Sequence, residues 1–237
     1  MTRRVHFRSL LAASLAALAG AGAPALAQSY CSSDGQRQPS ALVERFISAD
    51  CASCWGEAEH RPQPGELALD WIVPGTRGED APLSAAANRD SAARLAALQR
   101  PTPAGTDAVR RPVEERTPGL RVSHGLAFNG YIGASIELKT TQPGPWSAWL
   151  ALVETIPRDT EGSPVERNLV RNTLELTWNG EGTPVPPDLR RFYELRSMNV
   201  AEGARPDRLR VVGWIEDGHG RIRAMAESRC GLAAARR

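Results

Sequence analysis

Four cysteines are the residues of this 237-residue chain whose types and spacing point most directly to chemistry. Cys51 and Cys54 form a C-x-x-C segment, while Cys31 and Cys230 lie far apart in the sequence. A cysteine at the start of a helix meets unpaired amides and the positive end of the helix dipole, which favour the thiolate. A lowered pKa makes that sulfur a better nucleophile at neutral pH and a better leaving group. The second cysteine can then resolve a mixed disulfide. Cys51 is therefore the candidate attacking sulfur and Cys54 the resolving one. Such a pair needs no bound cofactor and takes a protein thiol or disulfide as its partner. Two other uses remain open. The pair can be a permanent structural bridge, or it can hold a metal with His60. Zinc wants four ligands, and the segment offers too few. Two thiolates and one imidazole suit Cu(I). No metal is assigned to it. The remaining cysteines, Cys31 and Cys230, are most simply a structural disulfide that ties a polar N-terminal arm to the last strand. The alternative makes Cys31 an extra redox partner of the C-x-x-C pair.

The elements needed to position these residues can be read from the pattern. Leu42 to Ile47 is a strand candidate that runs into the cysteines. Residues 51–60 read as a short helix capped by Ser48 or Asp50 and ended by Pro62 and Pro64. Glu66 to Val73 reads as a second, buried strand, and Leu83 to Gln99 as an Ala-rich helix. Residues 100–119, with four prolines and many charges, read as a loop. Leu120 to Phe128 and Tyr131 to Lys139 flank Asn129-Gly130, a strong hairpin signal. From Thr140 onward the segments are short and β-like: Trp146 to Ile156, Leu169 to Trp178, Phe192 to Met198, Arg208 to Glu216 and Arg221 to Glu227. The order predicts a strand–helix–strand–helix–hairpin unit over residues 28–139. An antiparallel β-rich part follows over residues 140–237.

The first 27 residues differ from the rest. Arg3, Arg4 and Arg8 precede an apolar run from Ser9 to Ala23, and Pro24-Ala25-Leu26-Ala27 closes it. This is the three-part pattern of a secretory signal peptide, with cleavage expected after Ala27. The apolar run is shorter than the roughly 20 residues that span a bilayer. The full chain carries a formal charge of +2. Removing residues 1–27 takes away three arginines and no acid, which leaves −1. That near-neutral balance argues against a nucleic-acid binder. No later stretch is apolar enough to cross a membrane. The expected location is a bacterial periplasm or the exterior, where disulfides persist. Phosphate loops, dinucleotide fingerprints and G-x-S-x-G elbows are absent from the sequence.

The segment Glu44-Arg45-Phe46-Ile47-Ser48-Ala49-Asp50-Cys51-Ala52-Ser53-Cys54 resembles the E-x-F-T-S-x-x-C-S-S-C opening of a bacterial secreted family, the domain of unknown function 1223 family. Glu44, Phe46, Ser48, Cys51, Ser53 and Cys54 match it. Asn129-Gly130, Val170-Arg171 with Trp178-x-Gly180, and Asp217 through Ala224 resemble later segments of that family. Trp55 stands where the family has proline. Ser123-His124 stand where it has Thr-Pro, and Asp70-Trp71 reduce its longer aromatic stretch. The resemblance implies an α/β, thioredoxin-like domain followed by extra β structure, with Cys51 and Cys54 at its redox centre. It also implies that His124 lies beside those cysteines, where it would stabilise a thiolate or join them on a metal. Glu44, on the strand leading to the motif, is an auxiliary candidate for moving the resolving cysteine's proton. Trp55 is a candidate to cover the motif. The alternative to exchange is a secreted binding protein on the same scaffold, held by two structural disulfides.

Overall fold

The computed structural model describes residues 31–57 and 59–230, so the expected signal peptide lies outside the described residues. The chain begins with β1 (Cys31–Ser32), β2 (Ala41–Ser48), α1 (Ala52–Gly56) and β3 (Leu67–Val73). Next come α2 (Arg89–Ala97), β4 (Thr106–Pro112), β5 (Leu120–Phe128), β6 (Tyr131–Thr140) and β7 (Trp146–Ile156). β8 (Arg167–Trp178), β9 (Thr183–Val185), β10 (Leu189–Asn199), β11 (Leu209–Glu216), β12 (Ile222–Glu227) and β13 (Arg229–Cys230) complete it.

β2 and β3 are buried at every position, and their near-continuous apolar sequences suit strands covered on both faces. They pair in parallel across the α1 crossover, Leu42 opposite Leu67 through Ser48 opposite Val73. β5 and β6 form the expected hairpin. Asn129 and Gly130 both take positive φ, +48° and +75°, as a two-residue turn of this kind requires. The predicted long helix is shorter and starts later. Asn88 caps α2 by accepting from the Ser91 amide at 3.0 Å, and a 3-10 turn at Ser84–Ala86 precedes it.

The strands form two sheets. One has the order β13-β1-β5-β6-β10-β9 and the other β12-β11-β7-β8-β3-β2-β4. The seven-stranded sheet curls until its edge strands meet. Val113 bridges Ile222, and the amides of Glu114 and Thr117 donate to the carbonyls of Ile222 and Arg223. Joining the edges removes a row of unpaired backbone groups. Inside the curl lie Phe46, Trp71, Trp149 and Trp214, with Leu95 of α2 among them. β3 and β8 pair only at Asp70 and Leu169. Beyond that point Asn88 joins them, donating from its backbone to Ile72 and from its side chain to Val170. A second core fills the space between the sheets, with Val122, Ile136, Leu150, Val211 and Ile215. There the layers approach so closely that a Cβ on Gly213 would stand 2.5 Å from Val122.

This architecture corrects the expected thioredoxin-like α/β fold. The described residues form thirteen strands against two α-helices, in two packed sheets. The local β2–α1–β3 unit is present, but its surroundings differ. Residues 106–112, expected in a loop, form β4 and pair antiparallel with β2. The β5–β6 hairpin joins the other sheet instead of extending β2 and β3. Both sheets draw strands from each side of residues 139 and 140, so the expected division cuts through both. No helix among the described residues is long and apolar enough to cross a membrane.

Asp217 fixes the β11–β12 turn and gives it a pH dependence. It accepts from the amides of His219 and Arg221 and from the side chains of Arg221 and Arg223. Burial disfavours the charged form, but these bonds together outweigh it and bring the pKa down to about 2. An unfolded aspartate titrates near 3.9, so the carboxylate stabilises the fold above about pH 4 and loses that effect as pH falls toward about 2. Urea unfolding should therefore show a smaller loss of stability between about pH 4 and 2 in Asp217→Asn than in the wild type. Parallel pH curves would assign the acid sensitivity elsewhere.

Candidate functional site

The C-x-x-C segment sits where β2 ends. The Ser48 amide donates to Gly105, and the Cys51 amide donates back to Ser48, which turns the chain out of the sheet. Cys51 occupies the N-cap of α1 and Cys54 its third position, and the two sulfurs are bonded. Cys51 is half-buried, whereas Cys54 is buried against Ile47, Ile72 and Leu169. The two sulfur-bearing residues thus differ in access, as attacking and resolving cysteines must.

α1 is a single turn, shorter than the expected helix, and needs outside support. Arg167 supplies it. Its Nη2 donates to the carbonyls of Trp55 at 2.8 Å and Glu57 at 2.5 Å, while its Nη1 donates to Asp70 at 3.1 Å. The guanidinium also lies 5.2 Å from the Trp55 ring centroid. Asp70 is fully buried and accepts from Arg45 at 2.7 Å and from the Asn168 amide at 2.7 Å. Burial pulls the Arg167 pKa down, and Asp70 opposes that pull. A buried carboxylate between two guanidiniums is thereby compensated, and it anchors the motif's helix to β3 and β8.

Trp55 packs against the apolar cluster that buries Cys54. Its indole N–H donates to the Glu161 carbonyl at 2.7 Å. It also lines an open groove of about 270 Å³ with Ile72, Pro82, Leu83, Ala86 and Leu169. Glu161, Arg171 and Glu202 form the groove's polar rim. Leu83, Ala86 and Trp55 belong to the same apolar cluster as Cys51 and Cys54. Neither cysteine lines the groove, but Ile72 and Leu169 belong both to its lining and to the cluster that buries Cys54.

Asp50, next to Cys51, clasps the loop after β3. Its carboxylate accepts from the Thr76 amide at 2.7 Å, the Thr76 hydroxyl at 3.0 Å and the Arg77 amide at 3.2 Å. Desolvation works against its charge, but these bonds hold its pKa below the usual aspartate value. A Cβ on Gly75 would collide with this carboxylate. Gly75→Ala must therefore push Asp50 off the clasp. The expected result is a stability loss of about 1–3 kcal/mol, as for overpacking. Hydrogen exchange at Thr76 and Arg77 should rise with it. Unchanged protection there would show that the clasp tolerates the methyl group.

The structure separates the other predicted site residues from this centre. Glu44 lies on the opposite face of β2 from the C-x-x-C cluster. It accepts from Arg94 at 2.7 and 2.9 Å, among the residues inside the curl, while Cys54 packs with Ile47 on the other side. His124 sits in the other sheet, paired with Cys31. Cys31 and Cys230 are directly opposite each other in β1 and β13, and their sulfurs are bonded. The row Cys230–Cys31–His124 thus crosses three adjacent strands. The expectation that His124 flanks Cys51 and Cys54 is corrected, because β5 joined the sheet that holds β1. Asp50 is expected from the sequence only as a helix cap, whereas its side chain holds the loop at Thr76 and Arg77, and the pattern gives no role to Asp70 or Arg167. Asp70 had a readable signal, a carboxylate in the middle of the apolar run Leu-Ala-Leu-Asp-Trp-Ile-Val, which demands a buried cation.

The two disulfides fit an oxidising, extracellular location. Comparison with models of protein families, with curated proteins and with solved structures finds nothing that matches this chain.

Proposed function

We propose that this is an exported protein of a bacterial periplasm or exterior that exchanges disulfides with protein partners through Cys51 and Cys54. The observation that carries this reading is the asymmetry of the pair. Cys51 is half-buried at a strand–helix junction, Cys54 is buried behind it, and other residues of their apolar cluster line a groove. In the reduced form the Cys51 thiolate attacks a partner disulfide and releases one partner thiolate. The Cys54 thiolate then attacks the Cys51 sulfur, frees the second partner thiolate and closes the Cys51–Cys54 bond. The same steps in reverse oxidise a partner dithiol. The groove beside Trp55 suits an apolar segment of the partner's chain, with Arg171 and Glu202 at its rim.

The deciding measurement is the reduction potential of the Cys51–Cys54 pair. An exchange site should lie near about −120 to −270 mV, the range of known exchange proteins, and a structural bridge below about −300 mV. If both disulfides of the folded protein resist a mild dithiol, the exchange reading fails. A second reading is favoured by one separate observation. Leu126, Phe128, Tyr131, Tyr193 and Leu195 are exposed on neighbouring strands β5, β6 and β10. Such an apolar face suits a binding protein whose disulfides are structural. The double variant Cys51→Ser/Cys54→Ser separates the two. The short loop gives a stability loss of only about 2 kcal/mol in the chain-entropy model. Exchange at the potential of the Cys51–Cys54 pair should vanish in this variant, which keeps only Cys31–Cys230. Partner binding that survives the double substitution with no exchange in the wild type would favour the second reading.

A further inference from the structure

Among the described residues, one group of three metal-binding side chains comes together, and it lies away from the C-x-x-C motif. The Cys31 and Cys230 sulfurs and a ring nitrogen of His124 lie within 4.8 Å of one another. The strands place them there. Cys31 of β1 pairs with Cys230 on one side and with His124 on the other, so all three side chains point to the same face. His124 is 4% exposed, and its Nδ1 is committed to the Gly125 carbonyl at 2.8 Å. That bond makes Nδ1 the N–H donor and leaves the lone pair on Nε2, which is buried with no hydrogen-bond partner. A backbone carbonyl on one ring nitrogen with the other nitrogen unpaired is the arrangement of a metal-ligating histidine. A buried imidazole nitrogen without a partner is otherwise a cost to the fold.

We propose that Cys31, Cys230 and His124 form a redox-gated site for a soft monovalent cation, Cu(I). In the oxidised protein the sulfurs are bonded to each other and the site is closed. A dithiol reductant supplies two electrons and two protons, becomes a disulfide itself, and leaves two cysteine thiols. Cu(I) then replaces both thiol protons and takes the Nε2 lone pair, which gives a three-coordinate centre. Soft thiolates with one imidazole select Cu(I) over harder ions. Ligand atoms around such an ion stand roughly 3.5–4 Å apart, from bond lengths near those of zinc sites. The sulfurs must separate, and the imidazole, one of whose ring nitrogens lies within 4.8 Å of both sulfurs, must draw in by a fraction of an ångström or more. The metal would reclose the same long loop that the disulfide closes. The site is independent of the exchange reading, since it uses the other pair of cysteines.

The test uses the full chain carrying Cys51→Ser/Cys54→Ser, so that only one dithiol is present. After reduction, Cu(I) is titrated against a chromogenic chelator under anaerobic conditions, and thermal melting is followed with and without the metal. The expected result is one Cu(I) per chain and a melting temperature that rises toward that of the oxidised protein. Zn²⁺ should give a smaller rise. His124→Gln should weaken Cu(I) binding tenfold or more, because losing even a group that only hydrogen-bonds to a ligand costs about 10–100-fold. The same substitution should leave the melting temperature of the oxidised protein close to its parent's, which separates ligation from packing. Equal Cu(I) affinity in His124→Gln, or a melting temperature that Cu(I) does not raise, overturns the proposal.

Discussion

Replacing Arg94 with methionine is expected to destabilise the protein by about 3–5 kcal/mol, the cost of breaking a buried ion pair from one side. Arg94 is 1% exposed and holds two carboxylates at once. Its Nε and Nη2 donate to Glu44 at 2.7 and 2.9 Å, and Nη2 also reaches Glu216 at 3.1 Å. The guanidinium lies 4.4 Å from the Trp149 ring and 5.3 Å from the Trp214 ring, which are themselves stacked 5.5 Å apart. Burial alone would weaken its charge, but Glu44 and Glu216 reverse that effect and its pKa is raised. Arg111 of β4 completes the cluster, 2.8 Å from Glu216 and 3.5 Å from Glu44. The cluster therefore ties β2, α2, β11 and β4 together, near the line where the curled sheet meets its own edge.

Methionine keeps much of the volume and removes the charge, so the loss reports electrostatics more than a cavity. Glu44 and Glu216 would then share a single cation, Arg111. Urea unfolding at neutral pH measures the cost. The double variant Glu44→Gln/Arg94→Met should recover part of it, because one stranded carboxylate is neutralised. A loss below about 1 kcal/mol in Arg94→Met would show that the cluster adds little to the fold, as many exposed ion pairs do.

The sequence made the strands legible where apolar residues alternate or run together. β7 and the β5–β6 hairpin fall where the pattern puts them, and β2 and β3 within a residue or two. β4 was hidden by its chemistry. Thr-Asp-Ala-Val-Arg-Arg-Pro looks like a loop because it is an edge strand with charged side chains that have partners elsewhere. Asp107 meets Arg100, Arg110 meets Glu66 and Arg111 meets Glu216. Those partners lie up to 105 residues away and leave no local trace. The thioredoxin-like expectation failed for a related reason. A strand–helix–strand crossover with C-x-x-C at its turn is a local unit, and it is present. Which sheet the β5–β6 hairpin joins is decided by packing over the whole chain. That one difference moved His124 from Cys51 and Cys54 to Cys31 and Cys230. Glu44 carried a signal that could be read further. A carboxylate within Leu-Val-Glu-Arg-Phe-Ile must meet a cation once buried, and such a pair opposes a role in proton transfer.

The disulfide between Cys31 and Cys230 is expected to contribute more stability than the one in the C-x-x-C motif, by a factor of two or more. It spans 199 residues of sequence, against 3 for Cys51–Cys54. In the chain-entropy model a closed loop of that length gives about 5 kcal/mol, and the short loop about 2. The folded contacts point the same way. Among the described residues β1 and β13 have two residues each, and β13 pairs with β1 alone. Without the covalent bond these short strands would fray, and Arg121–Asp34 would remain as an exposed tie for the arm. Single domains are typically stable by about 5–15 kcal/mol, so the loss would consume much of that margin. The measurement is urea unfolding of Cys31→Ser/Cys230→Ser beside Cys51→Ser/Cys54→Ser. The first should lose about 5 kcal/mol with a larger dependence on denaturant, because its unfolded chain is no longer cross-linked and exposes more surface. The second should lose about 2 kcal/mol with that dependence nearly unchanged. The reverse order would mean that the motif's disulfide holds the fold, and the exchange reading would then lose its physical basis. Of the two disulfides, the one in the C-x-x-C motif is then the one whose opening costs the fold less, and a Cys31–Cys230 pair opened by a dithiol would need another tie, such as a bound metal, to keep that stability.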